Sequence, residues 1–361
     1  MALEPAFWRR KRVLVTGHTG FKGGWLTLFL RELGAEVTGY ALAPDQEPSL
    51  FDVTQVDAGI RSKISDIRDA ERLRASVAHA KPAVVFHLAA QALVRKSYTE
   101  PLGTIAVNVL GTANLLEAIR RAEQQPAAVV VITTDKCYEN REWPWAYRET
   151  DALGGRDIYS ASKAAAELLT SAYARSFLQK LKIPVATVRA GNVIGGGDWA
   201  TDRLLPDLVR AVAARQPAAI RNPKAIRPWQ HVLECSYGYL LLAEALARDG
   251  EAFAEPWNFG PAFDNAKPVE WVADYFCRQW PGHPGWRHCG DARFAEAGLL
   301  RLDSAKASAR LGWRCRLDLA QALDWTLEWY RAHAAGEPLR PLSAVQIRRY
   351  LEFAAAPSSA Q

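Results

Sequence analysis

One pair of side chains at helical spacing is suited to acid–base chemistry. Tyr159 and Lys163 are four residues apart, so on a helix they share one face. Because a lysine ammonium stabilises a nearby phenolate, we expect Lys163 to lower the pKa of Tyr159. A phenol with a lowered pKa can accept a proton from a substrate and return it later. The spacing therefore predicts a catalytic acid–base group at Tyr159.

Three more reactive residues follow an apolar run. The segment 127–133 predicts a buried strand, and Thr134, Asp135 and Lys136 come directly after it. The carboxyl ends of the strands in an open parallel sheet face the ligand crevice. Removal of water from a sugar needs one group that takes a proton from carbon and another that protonates the leaving hydroxyl. Asp135 as acid and Lys136 as base fit that need; the alternative is a solvated pair of loop charges.

The base must meet a further condition. A lysine of ordinary pKa, near 10.4, is mostly protonated at neutral pH. Burial lowers the pKa of a lysine, whereas an adjacent carboxylate such as Asp135 raises it. We expect desolvation by bound substrate to prevail at Lys136, and Glu139 is the alternative base.

A glycine-rich segment lies between the first predicted strand, 12–17, and the first predicted helix, 24–33. Its GxxGxxG spacing permits a tight turn and lets backbone N–H groups approach a pyrophosphate, while the helix N-terminus adds positive potential. In this strand–helix context the motif predicts a dinucleotide site rather than a plain turn. The residues expected at the dinucleotide here are Gly17, Thr19, Gly20, Phe21, Lys22 and Gly23.

The residues after the second predicted strand, 36–40, bear on the choice of dinucleotide. No Arg or Lys occurs between Glu32 and Asp57, so an anchor for a 2′-phosphate is missing and NAD is favoured over NADP. The acid that holds the adenosine ribose is not assigned, because the nearest one, Asp45, is displaced. Asp66 and Ile67 are candidates for the adenine edge, with an ordinary surface turn as the alternative.

The elements that must position these groups alternate between strand and helix. Apolar runs without period-2 alternation are typical of a parallel sheet that is covered on both faces. We predict an α/β fold, a Rossmann-type doubly wound parallel sheet followed by a smaller C-terminal domain. The predicted strands are 12–17, 36–40, 83–88, 127–133 and 185–189. The predicted helices are 24–33, 104–121 and 160–177, with others near 204–215, 232–248 and 318–334.

Composition excludes several classes of protein. The chain has 361 residues, 49% hydrophobic and 23% charged, which is ordinary for a folded protein. The excess of 45 basic over 39 acidic residues gives a net charge of +6, and the basic residues are dispersed, which disfavours a nucleic-acid surface. We expect neither a signal peptide nor a membrane span. Five scattered cysteines predict reduced thiols in a cytoplasmic protein, and no spacing fits a metal site.

Taken together, the motifs resemble those of the extended short-chain dehydrogenase/reductases over essentially the whole chain. The resemblance is carried, in order, by GxxGxxG, His87–Ala90, Asn108–Thr112, Thr133–Thr134 and YxxxK. It implies a Rossmann domain with tightly held NAD(P), a C-terminal nucleotide-sugar-binding domain, and a hydrogen bond from Thr134 to substrate. It also implies further cofactor contacts at Leu88, Ala89, Ala90, Asn108, Tyr159 and Lys163.

Longer matches narrow the resemblance to the nucleotide-sugar 4,6-dehydratases. Most of these carry Thr-Asp-Glu after the strand, and the branch that uses CDP-glucose carries Asp-Lys-Cys-Tyr, as at 135–138 here. The segments 140–143, 189–199, 226–232 and 257–261 are also similar to that branch.

This resemblance implies NAD-dependent dehydration of a CDP-hexose, CDP-D-glucose, to CDP-4-keto-6-deoxy-D-glucose in deoxysugar biosynthesis. Tyr159 would take the 4-hydroxyl proton while C4 gives a hydride to NAD. Lys136 and Asp135 would then eliminate water across C5 and C6, and the hydride would return to C6. The alternatives are another nucleotide-sugar 4,6-dehydratase, a nucleotide-sugar 4-epimerase or reductase, and an inactive NAD-sensing protein.

The substrate residues are expected mainly in the second half of the chain. An arginine binds phosphate through its planar fork, so Arg203, Arg221 and Arg227 are candidates for a diphosphate, with solvated surface charge as the alternative. The other substrate residues that we predict are Gln91, Asn192, Leu204 and His231.

The expected domains are a NAD-binding domain at 1–195 with a returning strand near 257–260, a substrate-binding cap at 196–353, and a frayed tail at 354–361. The family resemblance implies a homodimer or higher homo-oligomer, paired through the helices 104–121 and 160–177.

Overall fold

Short strands occur throughout the part of the chain that this computed structural model describes, residues 1–261, 263–290 and 298–355. They are β1 (Arg12–Thr16), β2 (Glu36–Ala41), β3 (Arg61–Ile64), β4 (Val84–His87), β5 (Ala128–Ile132), β6 (Val185–Ala190), β7 (Val193–Ile194), β8 (Ala218–Ile220), β9 (Ile226–Pro228), β10 (Gln230–His231), β11 (Pro256–Phe259), β12 (Ala266–Pro268) and β13 (Trp286–His288).

Seven of these strands form a sheet in the order β11-β6-β5-β4-β1-β2-β3. Every neighbouring pair in it is parallel. Since connections between parallel strands must cross over the sheet, helices come to cover both faces. The remaining strands form three two-stranded pairs, β7 with β10, β8 with β13 and β9 with β12, all after residue 190.

The helices cover the sheet and build the part of the molecule beyond it. They are α1 (Pro5–Trp8), α2 (Phe21–Glu32), α3 (Leu50–Val53), α4 (Ala70–Ala80), α5 (Val94–Thr99), α6 (Pro101–Ile105), α7 (Gly111–Arg120), α8 (Ile158–Tyr173), α9 (Leu204–Ala214), α10 (Val232–Arg248), α11 (Gly250–Phe253), α12 (Val269–Gln279), α13 (Ala305–Leu311), α14 (Leu319–Ala334) and α15 (Leu339–Ala355). Short 3₁₀ turns lie at Asp135–Cys137, Gln179–Leu181 and Phe263–Asn265, and π-helical turns lie at Ala106–Leu110 and Ala174–Leu178.

Strand β5 shows how the two faces are filled. Its alternate residues Ala128 and Val130 join one core cluster, which also contains Leu26 of α2 and Leu240 of α10. Val129 joins a second cluster on the opposite face, with side chains from α4 and α7. Because successive side chains of a strand point to opposite faces, a strand buried on both must be apolar throughout. The predicted fold class, a doubly wound parallel sheet, is confirmed.

The ends of the chain differ in part from the sequence-based expectation. Strand β11 lies beside β6 at the sheet edge, at the place expected for a returning strand. Helix α15 continues to Ala355 and buries Ala354, so the predicted frayed tail is wrong for its first two residues. Residues 356–361 of that tail lie outside the described residues. The domain limits at 195 and 353 stay predictions.

One helical run is more apolar than the others. Helix α6, the π-helical turn and α7 join end to end over Pro101–Arg120. By length and composition, with a mean hydropathy of 1.4, this is the one described helix that could cross a membrane, although 44% of its apolar window is buried inside the protein. The run packs against α8, so the two helices form a single layer.

Candidate active site

A cavity of about 890 Å³ opens at the carboxyl ends of the central strands. Its walls include the glycine turn after β1, the segment after β4, the segment after β5 and the segment after β6. This is where an open α/β sheet binds its ligands. The far wall comes from residues after 197, among them α9 and the loops around β8 and β9.

The glycine turn has no room for side chains. Gly17 has a φ of +79°, and a Cβ there would lie 2.7 Å from the backbone nitrogen of Ala89. A Cβ on Gly23 would lie 2.0 Å from the carbonyl oxygen of Gly17. Helix α2 begins at Phe21, directly after the turn, so the N–H groups of its first turn have no partner within the helix and lie at the cavity. This cradle fits the pyrophosphate of a dinucleotide, and Thr19, Gly20 and Lys22 also line it.

The far end of this half of the cavity is formed by the segments after β2 and β3. Asp66 and Ile67 line it, as predicted for an adenine edge, and so does Asp45. The Tyr40 hydroxyl donates to the carbonyl of Asp66 (2.9 Å), and Arg68 binds the Asp66 carboxylate and lowers its pKa. The lining residues 41–50 and 65–67 include no Arg or Lys, so no cation is placed there for a 2′-phosphate.

The reactive residues predicted from sequence come together around the end of β5. Thr134, Asp135, Tyr159 and Lys163 are all buried and all line the cavity. The Thr134 hydroxyl donates to Asp135 Oδ1 (3.0 Å) and accepts from the Lys136 backbone N–H (3.3 Å), which starts the 3₁₀ turn. Helix α8 is capped by Asp157, whose carboxylate accepts from the Ser160 N–H (2.9 Å). This cap begins the helix just before Tyr159.

The surroundings of Asp135 favour the protonated form of its carboxyl. Burial raises the pKa of its carboxyl above the ordinary value, against the opposing pull of Lys136, Lys22 and Arg227. Its Oδ2 lies against Gly191, where a Cβ would come within 2.9 Å of it. A carboxyl of raised pKa is better suited to protonate a leaving hydroxyl than one of ordinary pKa.

The expected effect of Lys163 on Tyr159 is wrong for the free protein. Burial raises the pKa of Tyr159 to about 12, offset only in part by a hydrogen bond with Thr134 and by the charge of Arg203. The Lys163 ammonium instead donates to the carbonyl of Ile132 (3.3 Å), and burial, aided by the charge of Lys22, lowers its pKa to about 8. Desolvation therefore outweighs the attraction that the spacing suggested.

The two candidate bases stand in different places. Lys136 is exposed and lines the cavity. Glu139 is exposed too, but it is not among the lining residues, and its carboxylate pairs with Arg141 (3.3 Å). The geometry thus favours Lys136 over Glu139.

The three predicted arginines line the same cavity, and acidic neighbours hold two of them. Arg203 pairs with Asp198 (2.9 Å), and Arg221 pairs with Asp202 (3.1 Å). Arg95 on α5 belongs to no motif and was not predicted; it reaches Asp202 from the sheet side (3.3 Å) and also lines the cavity. Arginines from both sides of the cavity therefore converge on one carboxylate.

Some of the remaining predicted residues line the cavity, and the others lie outside it. Asn192 and Leu204 line the cavity, as do Leu88, Ala89 and Ala90.

Gln91 and Asn108 are not among the lining residues. The Asn108 amide donates to the carbonyl of Gln91 (3.1 Å) and to Ser162 Oγ (2.9 Å). Asn108 therefore ties the segment after β4 to α8, and the Gln91 side chain bonds to Leu93 and Thr104.

His231 is not at the cavity either. It is fully buried, its Nδ1 accepts from the Leu233 N–H (3.3 Å) at the start of α10, and burial lowers its pKa to about 3. Its ring lies between Trp25 and Trp325. The structure thus gives His231 the position of a helix cap in the core in place of the expected substrate contact.

Comparisons with known proteins agree with this geometry. A sequence model of the family described as GDP-mannose 4,6 dehydratase matches residues 14–255. The chain belongs to this family. Within it, the chain is 48% identical to the CDP-glucose 4,6-dehydratase of Salmonella typhimurium over 97% of its own length and 98% of that protein's.

More distant relatives also match over most of the chain. The dTDP-glucose 4,6-dehydratase of Streptomyces antibioticus is 30% identical, over 91% of this chain and 95% of that one. MoeE5 in complex with UDP-glucuronic acid and NAD superposes with a TM-score of 0.74 at 26% identity, covering 89% of this chain and 99% of that one. The family predicted from the sequence motifs is confirmed.

Proposed function

We propose that the protein is a hydro-lyase that dehydrates CDP-D-glucose to CDP-4-keto-6-deoxy-D-glucose with NAD as its cofactor. The observation that carries the proposal is Asp135, a buried carboxyl of raised pKa, in the same cavity as Tyr159 and Lys163. A simple oxidation or reduction at C4 has no use for this second acid. The relative from Salmonella, at 48% identity, bears the name CDP-glucose 4,6-dehydratase.

The first task is proton removal from the 4-hydroxyl. Bound NAD supplies a hydride acceptor and donor, and Gly17, Gly20, Gly23 and the start of α2 would hold its pyrophosphate. Tyr159 accepts the 4-hydroxyl proton as C4 loses its hydride. Because burial holds the pKa of Tyr159 near 12 in the free protein, this step needs positive charge brought by the bound ligands.

The second task is the removal of water. Oxidation at C4 acidifies the hydrogen on C5, and Lys136 at the cavity wall takes that proton. Asp135 protonates the 6-hydroxyl as it leaves. When the hydride returns to C6, Lys136 gives its proton back to C5. The proton that Tyr159 took from the 4-hydroxyl then replaces the one that Asp135 gave to the leaving water, so every group ends the turnover in its starting state.

The substrate's diphosphate would be held in the half of the cavity after residue 197. Arg203, Arg221 and Arg227 line this half, and Arg95 faces them from α5. An arginine forms two parallel hydrogen bonds to a phosphate, and each such charge-assisted bond is stronger than a neutral one. We therefore propose that these four arginines bind the diphosphate of the CDP-hexose. Nucleic acid and membrane are not proposed as partners.

We further propose that the protein is a homodimer that pairs through the layer of Pro101–Arg120 and α8. This layer exposes the apolar side chains of Leu102 (79%), Leu110 (58%) and Leu168 (60%). Several large apolar side chains exposed on one layer are typical of a protein interface. Such an interface would also explain why Pro101–Arg120 is apolar enough to resemble a membrane helix.

Charge placed on this layer is expected to separate the dimer. The double variant Leu102→Glu and Leu168→Glu should elute as a monomer in size-exclusion chromatography with light scattering. Val345→Glu is the matched control, because Val345 is an exposed apolar residue on α15, outside the layer. A wild-type monomer, or a double variant that stays dimeric, would contradict this interface.

A cytoplasmic location is proposed as well. All five cysteines are free thiols, with Cys137 and Cys235 buried. Unpaired thiols of this kind are typical of a reducing compartment.

A panel of substrates tests the proposed function. The protein is incubated with CDP-, UDP-, GDP- and dTDP-glucose, and the molecular mass of each product is measured by mass spectrometry. We expect loss of one water from CDP-glucose, fastest of the four. A nucleotide-sugar 4-epimerase would leave the mass unchanged, and loss of water from none of the four would defeat the proposal.

A further inference from the structure

A buried ion pair lies directly beneath the reactive residues and has no part in the chemistry derived above. Glu167 on α8 and Arg189 on β6 are both nearly inaccessible to solvent, and Arg189 Nη2 lies 3.0 Å from Glu167 Oε2. Arg189 Nε also donates to Glu167 Oε1 (3.0 Å), so the contact is bidentate. Replacing a buried ion pair with apolar residues often leaves stability unchanged or increases it. Stability alone is therefore a weak reason for its presence.

Glu167 contacts the residue that precedes the reactive segment, Thr134–Lys136. Tyr159, Lys163 and Glu167 follow at intervals of four on one helix, so they lie along a single face. The hydroxyl of Thr133 donates to Glu167 Oε1 (2.5 Å). Thr133 is joined to Thr134 by a peptide bond, so this hydrogen bond ties the start of the reactive segment to the helix that carries Tyr159 and Lys163.

Arg189 touches the same segment on its C-terminal side. Arg189 Nη1 donates to the Tyr138 hydroxyl (2.8 Å), and the guanidinium lies 4.8 Å from the centre of the Tyr138 ring. The Tyr138 hydroxyl in turn donates to Asn258 Oδ1 on β11 (2.8 Å). The 3₁₀ turn Asp135–Cys137 therefore lies between two residues, Thr133 and Tyr138, that are held by opposite members of one ion pair.

We propose that the Glu167–Arg189 pair positions Thr134, Asp135 and Lys136 against Tyr159 and Lys163, by holding both ends of the reactive segment. Glu167 and Arg189 are positioning residues, since neither lines the cavity. A displacement of about 1 Å in a reacting group can lower the rate by as much as 100-fold. Loosening one end of the segment therefore slows turnover, while the contacts that bind the substrate persist. This inference rests on the proposed dehydration.

The chain offers a matched pair of variants for the test. Thr133 and Thr187 each donate one hydroxyl hydrogen bond of 2.5 Å to Glu167, to Oε1 and Oε2 respectively, and both are buried. Only Thr133 is joined to the reactive segment, because Thr187 lies inside β6. Thr→Val keeps the shape of the side chain and removes the hydroxyl, so each variant leaves Glu167 short of one hydrogen bond.

The experiment measures kcat, KM and the melting temperature for Thr133→Val, Thr133→Ser and Thr187→Val. The substrate is whichever nucleotide sugar the wild type dehydrates fastest. We expect Thr133→Val to lower kcat about tenfold with KM changed less than twofold, Thr133→Ser to restore kcat, and Thr187→Val to stay within twofold of the wild type.

Three results would overturn the proposal. One is a Thr133→Val variant with wild-type kcat, whatever its melting temperature. Another is an equal loss of kcat in Thr133→Val and Thr187→Val, which would mean that Glu167 acts through general packing. The third is a Thr133→Val effect on KM alone. A wild type that dehydrates UDP- or dTDP-glucose but not CDP-glucose would defeat the proposed substrate and leave this comparison valid.

Discussion

The two halves of the cavity differ in the chemical groups that would contact a ligand. The half at the carboxyl ends of β1 and β2 has a backbone turn at its centre, where Gly17, Gly23 and Ala89 are in close contact. The half after residue 197 carries long charged side chains, and two of its arginines pair with carboxylates, as Arg203 does with Asp198. A phosphate in the first half would be held by N–H groups that cannot move, and one in the second by arginines that must exchange partners. The first half should therefore tolerate no added side-chain atom at Gly17 or Gly23. In the second half, each arginine removed should lower the affinity for the substrate by a further step.

The largest effect is expected from a methyl group added to the backbone half. Gly23→Ala would place a Cβ 2.0 Å from the Gly17 carbonyl and force the turn apart. We expect the affinity for NAD, measured by isothermal titration calorimetry, to fall at least about 100-fold, because the N–H groups leave the pyrophosphate position.

Gly103→Ala is the control for this change, because Gly103 on α6 does not line the cavity. The Cβ at residue 103 would meet only the side chain of Glu100, at 3.7 Å, which is an ordinary contact. Its affinity for NAD should stay within a few-fold of the wild type. Equal losses in both variants would show that the turn is not the close-fitting cradle described here.

A smaller effect is expected from the charged half. Arg221→Met removes one fork from the proposed diphosphate site and should raise KM for CDP-glucose about 30-fold, since a hydrogen bond to a charged group is worth about 1.5–3 kcal/mol. Its affinity for NAD should not change. Arg314→Met, an exposed arginine that does not line the cavity, serves as the control. A loss of NAD affinity in Arg221→Met would mean that the two halves are not separate.

The smallest effect concerns α10, which packs against both α2 and β5. Burial raises the pKa of Glu234 on this helix from 4.5 to about 7, although its carboxylate accepts hydrogen bonds from Tyr350 and from the N–H groups of Arg316 and Leu317. A carboxyl whose pKa is raised by folding contributes its stability at low pH and loses it as the pH rises through the folded value. Between pH 6 and 8 the wild type should lose about 1 kcal/mol of unfolding free energy from this group.

Glu234→Gln should abolish that component. Urea denaturation at pH 6 and at pH 8 gives the unfolding free energy of each protein. The component is the change in that free energy between the two pH values in the wild type, minus the same change in the variant. Parallel pH profiles for the two proteins would refute the assignment.

The backbone half of the site could be predicted from sequence because its signal is local. Gly17, Gly20 and Gly23 are read from their spacing and their place between a strand and a helix. The reactive residues were found for a similar reason, since Thr134 and Asp135 follow an apolar run and Tyr159 and Lys163 share one helix face. The position of the cavity follows from the rule that ligand crevices lie at the carboxyl ends of parallel strands.

The parts that sequence could not predict depend on contacts between distant segments. Arg95 and Asp202 are 107 positions apart and meet only across the folded cavity. His231 lies in the segment 226–232, which resembles the branch that uses CDP-glucose, yet two tryptophans enclose it in the core. The pKa of Tyr159 was misjudged because spacing reveals a nearby charge and not the loss of water around the phenol. Strand β3 was missed because all four of its residues are exposed.

In the proposed reaction, one cavity carries out an oxidation at C4, an elimination, and a reduction at C6 of the same sugar. CDP-glucose that carries deuterium at C4 tests this sequence of steps, with mass spectrometry and NMR of the product as the measurement. We expect a product lighter by one water, with the deuterium now on C6 and none lost to solvent. Deuterium that returns to C4 without loss of water, as a 4-epimerase would leave it, would refute the proposed dehydration.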